Sequence, residues 1–424
     1  MRRGIGLAAG AAGILLLIAS QSGCGGGNNS NTPTSGLTER VFVAFENTSS
    51  GILQIINAEK DQLTSSTISL GGSGPLPQIM VPGPNNTALV FSSVANNINI
   101  IDTIKEAQIA KVGSIDCTAS STTCVVALPG PTESFIETSD GKFIYAAIRS
   151  SSEVTVADLT GSSITTKNIP AVPGNCQTTN TCLPGAHRLV LSHNNAKLLV
   201  FNEDLNQLEV INTSDNSVKT VSGTGLDHPA FGVFSSDDSK AYIFNCGTEC
   251  GGTQASVVVL DMSALTLGTP VNVDGATTGI SDASNLYVAG SNPTTPGAGS
   301  LTVLPLSSLS GGKQIKIGDG FHQVISLFQN KVIVGARTCT TGCLSIVDPS
   351  SGTAIIDTPA SGQPQKGDVT AITAVTPRKV FYAAEGGEVR IYDATTGQEE
   401  LTNNTPIIDI SGKVNSVLYV GPKT

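Results

Sequence analysis

Three histidines stand just before short apolar runs: His187 in GAHRLVLS, His228 in LDHPAFGVFS and His322 in GFHQVISLF. His228 and His322 share one alignment position, seven residues before a polar turn. His187 lies two residues later, on the same side of an extended strand by its period of two. Three imidazoles gathered round one opening would hold a metal ion or bind an anion. Taken singly, they are solvated loop residues or strand caps. Glu133 in PTESF and Asp227 stand at comparable positions, but so do Gln78, Gly279 and Asn415, a set too mixed for a metal cage. The fourth histidine, His193, falls in a turn and carries no role. The chain has no Gly-x-Ser-x-Gly elbow, no phosphate loop and no His-Glu-x-x-His. No catalytic residue, metal ligand or cofactor is therefore assigned.

The nine cysteines divide unevenly. Eight form four close pairs, Cys117 with Cys124, Cys176 with Cys182, Cys246 with Cys250 and Cys339 with Cys343, and Cys24 stands alone. In an oxidising compartment such pairs read as local disulfides. Each closes so short a loop that it contributes about 2 kcal/mol at most; the staples pin loops rather than hold a fold together. Zinc is the other use of Cys-x3-Cys, but the four spacings differ.

Cys24 is explained by what surrounds it. Met1-Arg2-Arg3 precedes an uncharged run from Gly4 to Ala19, a basic segment ahead of an apolar one of secretory length, short for a membrane span. The segment resembles a bacterial lipoprotein signal, whose lipobox ends in a small residue before a lipidated cysteine. Ser22-Gly23-Cys24 matches the end of that box, while Gln21 stands where the family usually has leucine. The resemblance implies a signal peptide over 1–23, lipid attachment at Cys24 and a location in the bacterial cell envelope, anchored and facing the periplasm or the exterior. Residues 24–38 then read as a polar Gly/Asn/Ser/Thr tether.

Composition narrows the partners. A net charge of -10 with 13% charged residues lacks the basic footprint of a nucleic-acid binder. Forty-six glycines and twenty-one prolines call for many turns and few helices.

Residues 39–424 are a repeat array. DGKFIYAAIRSSSEVTVADLTG (140–161) and PRKVFYAAEGGEVRIYDATTG (377–397) share a turn, a short apolar strand, a polar turn, an alternating strand and an Asp-led turn. First strands begin at Val41, Leu89, Phe143, Leu198, Ala241, Leu286, Val332 and Val380, in steps of 43 to 55 residues. That period suits four-stranded propeller blades. The quoted strands are B and C; segments such as RLVLSHNNAK supply the inner strand A, and AQIAKVGSI an outer strand D. The first unit lacks strand A, whereas VNSVLYV (414–420) is a spare strand at the C-terminus. It is expected to complete the first blade and close an all-β, eight-bladed ring without open edges. The units resemble YVTN-type β-propeller repeats at Ser139-Asp140-Gly141-Lys142, Leu286-Tyr287-Val288 and Ile391-Tyr392-Asp393. That family usually has seven blades, the alternative count, and includes surface proteins and lactonase-like enzymes.

In such a ring the A–B and C–D turns share one face, and the B–C and D–A loops the other. Asp102, Asp158, Asp261, Asp348 and Asp393 open C–D turns and read as turn formers. Cys117/Cys124 and Cys176/Cys182 are placed in D–A loops, and Cys246/Cys250 and Cys339/Cys343 in B–C loops. The long SNPTTPGAGS insertion joins them, so all stapled loops are expected on one face, where binding surfaces are built on rigid scaffolds. The expected function is a lipid-anchored, monomeric binding or scaffold module contacting an envelope protein or a glycan. The alternative is an extracytoplasmic lactonase-like or metal-assisted hydrolase with its site at the channel mouth.

Overall fold

Strand B of every repeat is a nearly continuous apolar run because both faces of its sheet are covered. In RVFVAF (Arg40–Phe45), Val41, Val43 and Phe45 point into one apolar cluster, and Phe42 and Ala44 into another. The first cluster is shared with the eighth blade and the second with the second blade. The same alternation recurs around the ring, so that among the described residues eight apolar clusters fill the eight seams between neighbouring blades. The core is a ring of seams, and period two is what builds it.

The computed structural model describes residues 33–46, 51–71, 76–118, 124–170, 186–202, 206–292, 299–357, 366–400 and 407–422. Cys24, the segment 1–23, the Cys176–Cys182 pair and most of the SNPTTPGAGS insertion lie outside them. The chain forms eight antiparallel blades. Strand A of the first blade is the C-terminal segment Val414–Val420, which pairs with Arg40–Phe45 from Arg40↔Val420 to Phe45↔Val414. The remaining A strands are Pro77–Pro82, Ser134–Glu137, Arg188–Leu191, Pro229–Phe234, Thr278–Ser281, Phe321–Phe328 and Val369–Val375. Every first strand read from the repeat is a strand B here.

Turn chemistry fixes the A–B face. Asp140, Asn194 and Asp237 each accept the backbone N–H two residues on, and the residues between, Gly141, Asn195 and Asp238, take the left-handed conformation at φ 70°, 60° and 57°. Adjacent turns are also tied together. Ser139 N–H donates to Asn195 Oδ1, and the Asp238 carboxylate takes the His193 N–H and pairs with its Nδ1 at 2.7 Å. The C–D aspartates behave as turn formers, as in Asp158 accepting from Thr160 N–H at 2.8 Å.

Two boundaries differ from the sequence reading. Residues 33–36, expected to be tether, are docked on the second blade: Thr34 N–H donates to Ile104 O, and Ser35 donates to Glu106 through both N–H (2.6 Å) and Oγ (2.7 Å). Glu106 in turn neutralises Arg40, a fully buried guanidinium 2.8 Å away. The outer strand of that blade is also broken. AQIAKVGSI contributes only Ala107–Gln108 to it; the chain then leaves as a small hairpin of Lys111–Val112 with Ile115–Asp116 and returns at Val125–Ala127. Val112, Ile115 and Val126 fill the seam with the third blade, and burial of these apolar residues pays for the detour.

Candidate functional site at the channel mouth

The A strands line the channel edge-on, and side chains from neighbouring A strands satisfy part of their inner edges. Ser134 Oγ accepts from Leu189 N–H, Thr373 Oγ1 accepts from Tyr419 N–H, and Asn415 Nδ2 donates to Pro77 O. At the end bearing the D–A and B–C loops the channel widens into a cavity of about 550 Å³. Ile79, Phe91, Phe231 and Val324 give it apolar walls; Glu133, His187, Arg188 and Arg337 supply the charge.

Each charged group is held differently. His187 is buried, and its Nε2 lies 2.6 Å from Oε2 of the exposed Glu133. That hydrogen bond holds the Glu133 carboxyl below its usual range against partial desolvation by the channel walls, helped by the charges of His187, Arg149 and Arg337. Arg188 reaches across from the fourth blade to the sixth, donating from Nη1 to Thr277 O at 3.0 Å, with its guanidinium 5.5 Å above the Phe231 ring. Glu249, in a B–C loop, accepts from Ser291 N–H at 2.8 Å; burial pushes its carboxyl up to about 7, against the pull of that amide and of Arg188.

The three histidines do not come together. His187 alone lines the cavity. His228 sits outside strand A with φ 57°, its N–H bonded to Asn206 Oδ1 and its Nδ1 3.1 Å from Asp227. His322 is inside strand A, fully buried, with Nε2 bonded to Gly318 O; burial lowers its pKa to about 4, so it is neutral. One alignment position thus yields two side-chain directions, because the backbone turns left-handed at His228 and stays extended at His322. Among the described residues no group of three His, Cys, Asp or Glu side chains is placed to hold a metal ion. Of the other strand-entry positions, Glu133, Gln78 and Asn415 do line the mouth.

The stapled loops divide as well. Cys246–Cys250 and Cys339–Cys343 are disulfides in B–C loops on the mouth face. Each loop is pinned a second time by a carboxylate from the D–A loop that leads into its own blade. Asp227 accepts from Thr253 N–H, Thr253 Oγ1 and Gln254 N–H. Burial works against that carboxylate's charge, yet these bonds hold its pKa at about 2. Asp319 does the same for Thr340 and Thr341. Cys117–Cys124 is a disulfide but not in a D–A loop. It closes the detour within the broken outer strand, whose Ser114 donates to Gly161 O beside the third blade's C–D turn. The stapled loops therefore do not all share one face.

Sequence reasoning missed the arginines. The chain holds eight, two of them at Arg2 and Arg3. Arg188 opens a strand A, whereas Arg149 directly follows a strand B and Arg337 ends one, both at the end leading to the B–C loops. Their position in the repeat was a readable signal.

No protein-family profile matches the chain, and no curated protein sequence does. Solved structures do. The chain is similar to dihydro-heme d1 dehydrogenase NirN in complex with DHE at 12% identity and a TM-score of 0.61, over 91% of this chain and 78% of that one. It is similar to apo AztD from Citrobacter koseri at 13% identity and a TM-score of 0.55, over 91% and 99%. A functionally unknown protein from Desulfotomaculum acetoxidans matches at 12% identity and a TM-score of 0.53, over 91% and 100%. That likeness is one of fold.

Proposed function

We propose that this protein is a monomeric binding module of the bacterial cell envelope, anchored by lipid on Cys24, that receives its ligand at the channel mouth. One observation carries the reading. Side chains from seven blades converge on a single cavity, on the face where two B–C loops are each fixed by a disulfide and by a carboxylate bridge. Fixed loops round a concave opening that sets apolar walls among polar and charged groups favour binding with little ordering cost. Disulfides point to an oxidising compartment, which agrees with the lipobox-like Ser22-Gly23-Cys24. The YVTN-type repeat motifs add nothing against this, since such propellers serve many roles. The ligand is a small molecule or a protruding group of an envelope protein or glycan. A thermal-shift screen of the full-length protein tests the reading: ligands that raise the melting temperature of the wild type should lose that effect in Phe231→Ala. Ligands that stabilise both equally would place the binding elsewhere.

A second reading rests on the Glu133–His187 pair, a carboxylate orienting an imidazole inside a cavity, which is the arrangement of a general base. It supports the alternative of a lactonase-like hydrolase. Turnover of a lactone and ester panel that disappears in His187→Gln would establish it; a panel left untouched by the wild type would remove it.

A further inference from the structure

The mouth has an electrostatic sign opposite to that of the chain. The protein carries a net charge of -10, yet the cavity is lined by two arginines and one carboxylate, with no lysine or aspartate. A third guanidinium, Arg149, lies near enough to act on the same carboxylate, and a buried carboxyl, Glu249, lies near enough to act on Arg188. That carboxylate, Glu133, is already engaged by His187 at 2.6 Å. The Arg337 side chain is exposed and forms no hydrogen bond or ion pair among the described residues, although it faces the cavity. Three of the six arginines beyond Arg3 thus gather at one opening of an acidic protein. An arginine held at the rim of a concave site focuses field on it and matches a carboxylate through paired N–H donors.

On the reading that the mouth is a binding site, we propose that its occupant is a small carboxylate with an apolar, ring-sized body. The carboxylate lies against Arg337 and Arg188, and the body against Phe91, Phe231 and Val324. The apolar walls select the body, and the amides of Gln78, Gln323 and Asn415 offer neutral donors beside it. Arg188 is already oriented for this by its bond to Thr277 O and its place over Phe231. Glu133 works against the anion and sets an upper limit on its affinity.

Calorimetric titration of the full-length protein with benzoate, phthalate, benzamide and inorganic phosphate tests the proposal. Benzoate and phthalate should bind, and uncharged benzamide should bind at least about tenfold more weakly. Arg337→Gln should weaken benzoate by about tenfold while Arg337→Lys keeps part of the affinity. Glu133→Gln should strengthen it. Equal binding of benzamide and benzoate, lost in Phe231→Ala, would overturn the anion while leaving the mouth a binding site. Phosphate binding as tightly as benzoate, and indifferent to Phe231→Ala, would overturn the apolar body. Carboxylate binding unaffected by Arg337→Gln, or no binding of any of the four, would overturn the proposal as a whole.

Discussion

Deleting residues 413–424 should abolish folding, because the last strand belongs to the first blade. Val414, Val417 and Leu418 are buried in the seams on either side, at 1%, 3% and 9% exposure. Burial of three such side chains stabilises by about 5–9 kcal/mol. The ladder with Arg40–Phe45 runs over six residues of that strand, and its bonds contribute about 1 kcal/mol each net. Three more bonds cross to neighbouring blades: Asn415 Nδ2 to Pro77 O at 3.1 Å, Met80 N–H to Ser416 Oγ at 3.3 Å and Tyr419 N–H to Thr373 Oγ1 at 2.9 Å. The loss exceeds about 10 kcal/mol, against a total stability of about 5–15 kcal/mol for a typical domain. Far-UV circular dichroism and a thermal melt would show a chain that is insoluble or lacks a cooperative transition. A synthetic peptide of residues 413–422, added in excess during refolding, should restore part of the transition. A truncated chain that melts like the intact one would mean that Val414–Val420 is an appendage and that the ring is closed by something else.

Glu106→Ala should destabilise the fold by about 3–5 kcal/mol in urea titration, because it leaves Arg40 buried without its partner; removing residues 25–32 should leave the melting temperature unchanged. Peptide mapping without reduction should recover 117–124, 246–250 and 339–343 as linked pairs, together with 176–182, and a bridge between blades would contradict the local pairing. Cys24→Ala should abolish detergent partitioning or leave the precursor unprocessed, as followed by phase separation and mass spectrometry. Glu209 gives a pH dependence. Burial raises its carboxyl from 4.5 to about 8, against the bond from Gln207. The folded chain therefore holds a proton that the unfolded chain has released, and this contribution to stability is complete below pH 4.5 and lost as pH rises through 8. Each tenfold difference in proton affinity is worth about 1.4 kcal/mol, so Glu209→Gln should be more stable than wild type at pH 8.5 and equal to it near pH 4. Equal stabilities at both would refute the assignment.

Where the sequence was legible, the signal was local and repeated. Val41 through Val380 mark eight B strands in register with the structure, and the surplus VNSVLYV names its own place, because one blade lacked a strand. The aspartates of the C–D turns were readable for the same reason, each bonding to its own backbone two or three residues on. Legibility failed where one residue could go two ways. Gln108 ends a strand segment that only later resumes at Val125, since the intervening hairpin is held by the third blade rather than by its own neighbours. Ser35 reads as linker but caps a carboxylate 71 positions away.

Alternation and period thus determined the blade and pointed to eight blades and to the closure, with seven blades left open until the sheets were seen, because both faces of each sheet must be buried and a row of apolar residues at spacing two records that need directly. The mouth was decided only by the tertiary structure. Glu133, the adjacent His187 and Arg188, Glu249 and Arg337 come from four different blades, and no local pattern of one blade records the groups of the others. The ring's curvature brings them within reach of one another, and the sign of their charge matters only there, since exposed charges more than a Debye length apart, about 10 Å in 0.1 M salt, scarcely interact.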